Sequence, residues 1–270
     1  MDKKSRSLSG STLAVIIVVI VVVVVAAGAG AYYATRKPVT TTVPTTTTSV
    51  MRTTTTSTST SAPVVTTSQQ LINIKPLLVY INSSLMPGAG NISSKYYIFI
   101  VYDPECPYCA IELNQSLPYF YYLANNGYAR LEFVGMPIHE YSLEMLAMLD
   151  LIYQKYGFQQ FYNVLDQNYA YYVHNILLYE NNVTKQLQMP TPYTIYEIMN
   201  RSGLSINLTA INQTMKNAYS LAETTYNQGI EGVPVIIVYN STSGNTLYQF
   251  IGLYPENEVE NQINQTLGLK

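Results

Sequence analysis

The chain has 270 residues, a formal charge of −2 and only 11% charged residues. This composition leaves no basic surface that could follow a phosphate backbone, so we predict that the protein does not bind nucleic acid. The sequence contains two cysteines, too few for a disulfide-rich scaffold or, alone, for a four-ligand zinc site. We therefore expect the two cysteines to act together.

The N-terminal part of the chain is predicted to anchor it in a membrane. Residues 13–34 are almost entirely apolar, and 22 residues of helix would span about 33 Å, close to the thickness of the hydrocarbon core. Lys3, Lys4 and Arg6 precede this segment, which favours a cytoplasmic tail at residues 1–12 and a folded domain outside the cytoplasm. A cleaved signal peptide is the alternative, although the apolar run is long for one.

A linker is predicted at residues 35–70, which are rich in Thr, Ser and Pro. Such a composition cannot offset the entropy lost on ordering, so we expect a disordered, passive or O-glycosylated stalk. Nine Asn-x-Ser/Thr sequons follow the linker, a density typical of an extracytoplasmic glycoprotein. They begin at Asn82, Asn91, Asn114, Asn182, Asn200, Asn207, Asn212, Asn240 and Asn264. Asn114 is expected to be unmodified because it lies in a predicted helix.

Residues 71–270 are predicted to form one α/β domain. The aromatic and β-branched run at 96–102 predicts a strand that is buried on both faces. A Cys-Pro-Tyr-Cys sequence then opens a helix that ends at 125–127 and is expected to kink at Pro118. Residues 130–136 predict a second strand. These elements form a β–α–β unit with the cysteine pair at the carboxyl end of its first strand.

A helical insertion is predicted from about 138 to 229. Its helices open at 142–149 and continue at 158–180, 193–202 and 208–228. Four tyrosines in this span are interpreted as packing surface rather than a cofactor site: Tyr169, Tyr171, Tyr172 and Tyr179. The chain then returns to β structure as a hairpin and closes with a helix, at 235–239, 246–251 and 255–267.

The cysteine pair predicts redox chemistry. Cys106 lies at a helix N-terminus, where unpaired N–H groups and the macrodipole stabilise a thiolate. This placement in a Cys-x-x-Cys pair takes the thiol pKa from about 8.5 into the range of about 3.5–7.5. Cys109 lies one helical turn later and faces inward, where it can resolve a mixed disulfide formed by Cys106. The dithiol itself carries two electrons, so no cofactor is expected.

Three other interpretations of the pair compete with redox chemistry. A zinc site would need two further ligands, and the histidines His139 and His174 show no metal-binding spacing. A structural disulfide that closes so short a loop would add little stability. Two free, buried thiols are uncommon outside the cytoplasm. Both histidines are assigned to the core or the surface, with a minor role kept open for His139.

The sequence Asp-Pro-Glu-Cys-Pro-Tyr-Cys at 103–109, directly after an apolar strand, resembles the active-site segment of the DsbA-like branch of thioredoxin-fold oxidoreductases. A second segment, Gly-Ile-Glu-Gly-Val-Pro at 229–234, resembles that family's G-x-x-G-[VT]-P sequence. The resemblance covers about 90–270. It implies a thioredoxin-like fold with a helical insertion, and a cis proline at Pro234 that lies beside the cysteine pair.

The active-site residues are then Cys106 and Cys109, with Pro107 and Tyr108 between them, and Val233 and Pro234 for substrate binding. The role of the last two follows also from backbone chemistry. A proline at the head of a strand leaves the neighbouring backbone unpaired, so Val233 can offer its N–H and C=O to an extended peptide. An ordinary edge-strand proline is the alternative.

Two positions depart from the family pattern. Ile100 stands where many thioredoxin-fold enzymes carry a buried carboxylate; Asp103 or Glu105 can substitute, but both are expected to be solvated loop charges. Tyr108 stands where strongly oxidising DsbA proteins have His. The direction of catalysis therefore stays open between oxidase, reductase and isomerase. An isomerase is expected to dimerise, and since no dimerisation module is found, we expect a monomer.

The sequence thus predicts a single-pass, membrane-anchored thiol–disulfide oxidoreductase whose domain lies outside the cytoplasm. Its expected partners are exported proteins with cysteines, together with an unidentified membrane or extracytoplasmic redox partner. The alternative from another class is a non-catalytic, peptide-binding surface glycoprotein in which Cys106 and Cys109 form a fixed structural bridge.

Overall fold

The structure is a computed structural model that describes residues 70–269. The predicted tail at 1–12, the anchor at 13–34 and the linker up to residue 69 lie outside the described residues. Within residues 70–269, none of the helices combines the length and apolar character that a membrane span requires.

The described chain alternates between β structure and helices. Its strands are β1 (Gly88–Ala89), β2 (Tyr96–Tyr102), β3 (Arg130–Gly135), β4 (Val235–Asn240) and β5 (Asn245–Ile251). Its α-helices are α1 (Pro107–Asn125), α2 (Ser142–Tyr156), α3 (Phe158–Glu180), α4 (Pro192–Arg201), α5 (Ile211–Tyr226) and α6 (Glu256–Leu267). Short 3₁₀ helices cover Lys75–Tyr80 and Leu208–Ala210.

The strands form one sheet in the order β1-β3-β2-β4-β5. Strands β2 and β3 are parallel and joined through α1, as the predicted β–α–β unit requires. Strand β4 is antiparallel to both β2 and β5, and the β4–β5 pair is the predicted hairpin. The two-residue strand β1, which pairs antiparallel with β3, was not predicted.

Both faces of β2 are buried, which explains its nearly continuous apolar sequence. Ile98, Ile100 and Tyr102 point to a core that they share with α1, α2, α3, α4 and α6. The alternate residues of the strand point to the opposite side, where they meet α5 and the N-terminal segment. The central strand therefore ends between two helical layers, and the cysteine pair follows directly after it.

The N-terminal segment of the described chain covers the second face of the sheet. Ile72, Ile74 and Leu77 are buried there against the aromatic residues of β2. The backbone N–H of Ile72 donates to the side-chain oxygen of Gln249 at 2.8 Å, and its carbonyl accepts from Thr246 at 2.7 Å. These contacts attach the segment to β5.

Helices α2 to α5 lie between β3 and β4, in the span for which a helical insertion is predicted. Helix α1 continues through Pro118 to Asn125. The predicted tyrosine packing surface is only half buried: Tyr169 and Tyr172 are in the core, whereas Tyr171 and Tyr179 are exposed. The exposed pair lies on the outer side of α3.

Candidate active site

Cys106 is the N-cap of α1, and it follows the end of β2 by four residues. Its sulfur accepts a hydrogen bond from the backbone N–H of Cys109 at 3.5 Å. Pro107 occupies the first helical position, where its missing N–H has no consequence. The helix N-terminus thus directs a free N–H group at the sulfur of Cys106.

The two thiols have opposite protonation behaviour. A hydrogen bond from the Cys109 thiol, with support from backbone N–H groups, lowers the pKa of Cys106 to about 7, although burial and the charge of Asp103 oppose this shift. Burial raises the pKa of Cys109 well above its usual range. At neutral pH, Cys106 is therefore substantially ionised while Cys109 remains a thiol.

Both thiols are free and buried, with Cys106 2% exposed and Cys109 fully enclosed. The residues around Cys106 are more accessible. Tyr108 is 59% exposed, and Pro107 and Val233 are half-buried. The sulfur of Cys106 therefore lies just beneath the surface, next to residues that a partner molecule can contact.

The segment at 229–234 lies beside the cysteine pair. The carbonyl oxygen of Val233 is 3.8 Å from the sulfur of Cys106, across 127 residues of sequence. The Val233–Pro234 peptide bond is cis, and β4 begins at the next residue, Val235. The structure thus brings together Cys106, Cys109 and Val233, which the resemblance had placed in one site.

The prediction that Asp103 and Glu105 are solvated loop charges is wrong. Asp103 is fully buried and Glu105 is 2% exposed. The backbone N–H of Ile138 donates to Asp103 at 2.9 Å, and that of Tyr141 donates to Glu105 at 2.8 Å. These donors lie just before and at the N-terminus of α2, where N–H groups and the helix dipole stabilise negative charge.

Helix α3 holds the backbone of the same loop. The side-chain amide of Asn168 donates to the carbonyl of Pro104 at 2.8 Å, and the hydroxyl of Tyr169 donates to the carbonyl of Asp103 at 3.1 Å. Ser142, at the start of α2, donates to Asp103 at 2.6 Å. The loop that precedes Cys106 is therefore fixed by the helical insertion.

Sequence reasoning missed Ser142, Asn168 and Tyr169 as residues that build the site. Their contacts to the loop span 37 to 66 residues, so no local spacing connects them to it. Asn168 is a polar residue in a predicted helix, and its side-chain amide is fully buried in the structure. Such a group requires a hydrogen-bond partner, although the sequence does not identify which one.

The surroundings of the thiols are acidic and aromatic. Ile100, at the position of the buried carboxylate in many thioredoxin-fold enzymes, is fully buried and apolar. The carboxylate that acts on the pKa of both thiols is instead that of Asp103. Burial raises the pKa of Tyr102 and Tyr169 well above the usual range, so these neighbouring phenols stay neutral. No cluster of metal ligands is found within residues 70–269.

No protein-family model matches the sequence, and no curated protein matches it. Solved structures do match. The catalytic domain of Proteus mirabilis ScsC has a TM-score of 0.50 and 15% identity, over 72% of this chain and 97% of that chain. Wolbachia pipientis alpha-DsbA1 has a TM-score of 0.52 and 15% identity, over 68% of this chain and 91% of that chain. These similarities show that the chain has a DsbA-like thioredoxin fold.

Proposed function

We propose that this protein is a thiol–disulfide oxidoreductase that exchanges disulfides with the cysteines of exported proteins. Cys106 is its nucleophile and Cys109 its resolving thiol. The observation that carries the proposal is the placement of Cys106, whose sulfur caps the N-terminus of α1, accepts from the N–H of Cys109 at 3.5 Å and lies 3.8 Å from the carbonyl of Val233. The lowered pKa of Cys106 and the raised pKa of Cys109 agree with this placement. An exchange site needs one ionised and one protonated sulfur, since only the thiolate is nucleophilic.

The oxidising reaction starts from a Cys106–Cys109 disulfide. A substrate thiolate attacks the sulfur of Cys106, the Cys106–Cys109 bond breaks, and Cys109 leaves as a thiolate that takes up a proton. A second substrate thiolate then attacks the substrate sulfur of this mixed disulfide, and Cys106 leaves as a thiolate. Two electrons pass from the two substrate thiols to the pair, and the substrate gains one disulfide.

The backbone of Val233 positions the substrate. Pairing between β4 and β2 begins at Val235, so Val233 lies beyond the ladder. Its carbonyl is directed at Cys106, and the residue is half-buried rather than enclosed. An extended peptide that pairs with this backbone would lie beside the sulfur of Cys106. Substrate recognition would then depend on main-chain hydrogen bonds, which every peptide can form, so proteins of different sequence could be substrates.

The direction of exchange depends on the stability of the dithiol form. A stabilised Cys106 thiolate favours the reduced pair and makes the disulfide form an oxidant. A pKa of about 7 gives less of this stabilisation than the value of about 3.5 that strongly oxidising pairs reach. The pair is therefore suited to exchange in both directions, and a membrane or extracytoplasmic redox partner sets the net flow of electrons.

We propose that the domain acts outside the cytoplasm as a monomer on a membrane anchor. The apolar run at 13–34, the basic residues before it and the Thr-rich linker at 35–70 support this topology. The sequons beyond the linker support a glycosylated surface. Thiol–disulfide exchange fits such a compartment, because protein disulfides persist outside the reducing cytoplasm.

A non-catalytic, peptide-binding glycoprotein is the second candidate function. The low exposure of Cys106, 2%, favours it, because an enclosed sulfur suits a fixed bridge. Under this alternative, the pair would stay oxidised in dithiothreitol and Cys106 would show no unusual reactivity. The lowered pKa of Cys106 favours the enzyme.

The test is covalent trapping in the organism's own cells with the full-length chain. Cys109→Ser should accumulate mixed disulfides with exported proteins, because the bond from Cys106 to the substrate cannot be resolved. Cys106→Ser is the matched control and should trap none. Adducts are detected on non-reducing gels and released by dithiothreitol. Absence of adducts with Cys109→Ser, or equal amounts with both variants, would contradict the proposal.

A further inference from the structure

His139 lies against the carboxylate of Asp103. Its Nδ1 is 2.9 Å from Oδ2 of Asp103, and its side chain is 28% exposed whereas that of Asp103 is fully buried. Asp103 in turn precedes Cys106 by three residues. His139 therefore connects the solvent to the buried charge beneath the cysteine pair.

The carboxylate of Asp103 has a complete set of hydrogen-bond partners. Oδ1 accepts from the N–H of Glu105 at 2.8 Å and from the hydroxyl of Ser142 at 2.6 Å. Oδ2 accepts from the N–H of Ile138 at 2.9 Å, and His139 occupies its remaining side. Four partners match the acceptor capacity of a carboxylate, so the orientation of the group is fixed.

No lysine or arginine is among the groups that shift the pKa values of Cys106 and Cys109. The effect of the Asp103 carboxylate on the two thiols is therefore not offset by such a cation. Asp103 disfavours the thiolate of Cys106 and that of Cys109. The charge of Asp103 acts on the pKa of Tyr102, Cys106, Cys109, Tyr169 and Tyr172, from β2, α1 and α3. Glu105 of the same loop shares the hydroxyl of Ser142 with Asp103. Next to His139, Glu140 and Tyr141 are exposed. In this group, only the imidazole of His139 can carry positive charge.

We propose that His139 is a positioning residue of the thiol–disulfide site, and that the charge on its imidazole, acting through Asp103, sets how readily Cys106 forms a thiolate. This inference rests on the proposed function and specifies how the site is regulated. Tyr108 supplies no charge at the position where strongly oxidising relatives carry His. His139, in the helical insertion, can supply that positive charge instead, through its contact with Asp103.

The physical argument concerns the net charge of the Asp103–His139 pair. A protonated imidazole offsets the carboxylate, so the Cys106 thiolate faces a neutral pair. A neutral imidazole leaves the carboxylate uncompensated, and the two negative charges repel each other. A positive charge at position 139 therefore stabilises the dithiol form and strengthens the disulfide form as an oxidant.

Two substitutions at the half-exposed position separate charge from structure. His139→Lys places a permanent positive charge beside the carboxylate of Asp103. His139→Asn keeps only a neutral hydrogen-bond donor near the position of Nδ1. His174→Asn is the matched control, because His174 is the other histidine of the chain and is exposed on α3. The full-length chain is purified in detergent and fully reduced. Alkylation of Cys106 by iodoacetamide is then measured against pH by mass spectrometry.

We expect the midpoint of Cys106 alkylation to fall in His139→Lys and to rise in His139→Asn. Each shift should be about half a pKa unit, which is roughly a threefold change in rate at a fixed pH below the midpoint. The equilibrium with glutathione should change by a similar factor, about 14 mV at 29.6 mV per tenfold, with the Lys variant the more oxidising. His174→Asn should match the wild type.

A lowered midpoint in His139→Lys cannot arise from unfolding, which would return the thiol towards its ordinary value of about 8.5. Equal midpoints in all variants, or shifts of the same direction in both, would overturn the inference. The proposed function is judged separately by trapped partners. Shifted midpoints without trapped partners would support the role of His139 and reject the enzyme, and the reverse pattern would reject the role of His139 alone.

Discussion

The hydroxyl of Tyr169 donates a hydrogen bond of 3.1 Å to the backbone carbonyl of Asp103, across 66 residues of sequence. Tyr169 is fully buried in α3, and Asp103 begins the loop that leads to Cys106. Helix α3 therefore does more than cover the sheet, because its side chains satisfy the backbone of the loop. The stability of the domain and the geometry of its thiol site depend on the same contacts.

Replacing Tyr169 by Phe should lower the free energy of unfolding by about 1 kcal/mol, because the substitution removes one of the two donors to the buried carbonyl of Asp103 and leaves only the N–H of Cys106 at 3.2 Å. Urea unfolding followed by circular dichroism measures this loss. Tyr171→Phe is the matched control: Tyr171 is two residues further along the same helix and is exposed. Its effect should stay within about 0.5 kcal/mol. Equal losses of unfolding free energy in the two variants would show that the buried hydrogen bond adds no stability of its own.

Replacing Cys109 by Ala should raise the pKa of Cys106 above the wild-type value of about 7, since the hydrogen bond from the Cys109 thiol is the main cause of the lowered value. The pH dependence of Cys106 alkylation measures the shift. Cys109→Ser retains a hydroxyl donor at the same position, so its alkylation midpoint should stay closer to the wild type. If the Ala and Ser variants titrate together, the backbone N–H groups rather than the thiol stabilise Cys106.

The buried pair of Arg130 and Glu132 should make stability fall as the pH rises. Burial raises the pKa of Glu132 from 4.5 to about 7, against the opposing effect of Arg130 at 2.8 Å. The unfolded chain therefore releases this proton first, and the folded state loses stability between about pH 4.5 and pH 7. The loss should be about 3 kcal/mol, since one pKa unit corresponds to about 1.4 kcal/mol.

Glu132→Gln should abolish this part of the pH dependence, because an amide does not titrate in this range and can still accept from Arg130. Urea unfolding of both proteins at about pH 5 and pH 8 provides the comparison. The difference in unfolding free energy between the two pH values should be smaller in the variant. Parallel pH dependence in the two proteins would assign the titration to another group.

Replacing Ser142 by Ala should destabilise the domain by about 1–3 kcal/mol, because one hydroxyl serves two buried carboxylates. The hydroxyl of Ser142 lies 2.6 Å from Asp103 and 3.2 Å from Glu105. Thermal unfolding measures the loss, with Ser220→Ala on the exposed side of α5 as the control. If the Ser142 variant is as stable as the control, the backbone N–H donors at the start of α2 are sufficient for both carboxylates.

The parts of the fold that depend on local patterns could be predicted from the sequence. The run at 96–102 is strand β2, the Cys-x-x-Cys pair opens α1, and the hairpin lies where the turn residues placed it. Strand β1 and the 3₁₀ helix at Lys75–Tyr80 escaped prediction. They cover two and six residues, which is too short for a hydrophobic period to develop.

The environment of the site could be predicted only in part. The nearness of Val233 to Cys106 followed from the resemblance, since no local rule joins residues 127 positions apart. The burial of Asp103 and Glu105 was missed for a physical reason. A charged residue in a loop is usually solvated, and here it is buried because the N-terminus of α2, more than 30 residues later, supplies its donors.

The segment with Ile72, Ile74 and Leu77 determines where the polypeptide tolerates a cut. A protease that cleaves before Gln70 would leave a domain whose sheet is still covered on both sides. Cleavage after Tyr80 would instead remove the residues that cover Phe99 and Val101, and would leave an exposed apolar surface that is prone to aggregation. Cuts on the two sides of this segment, about ten residues apart, would thus have opposite consequences for the folded domain.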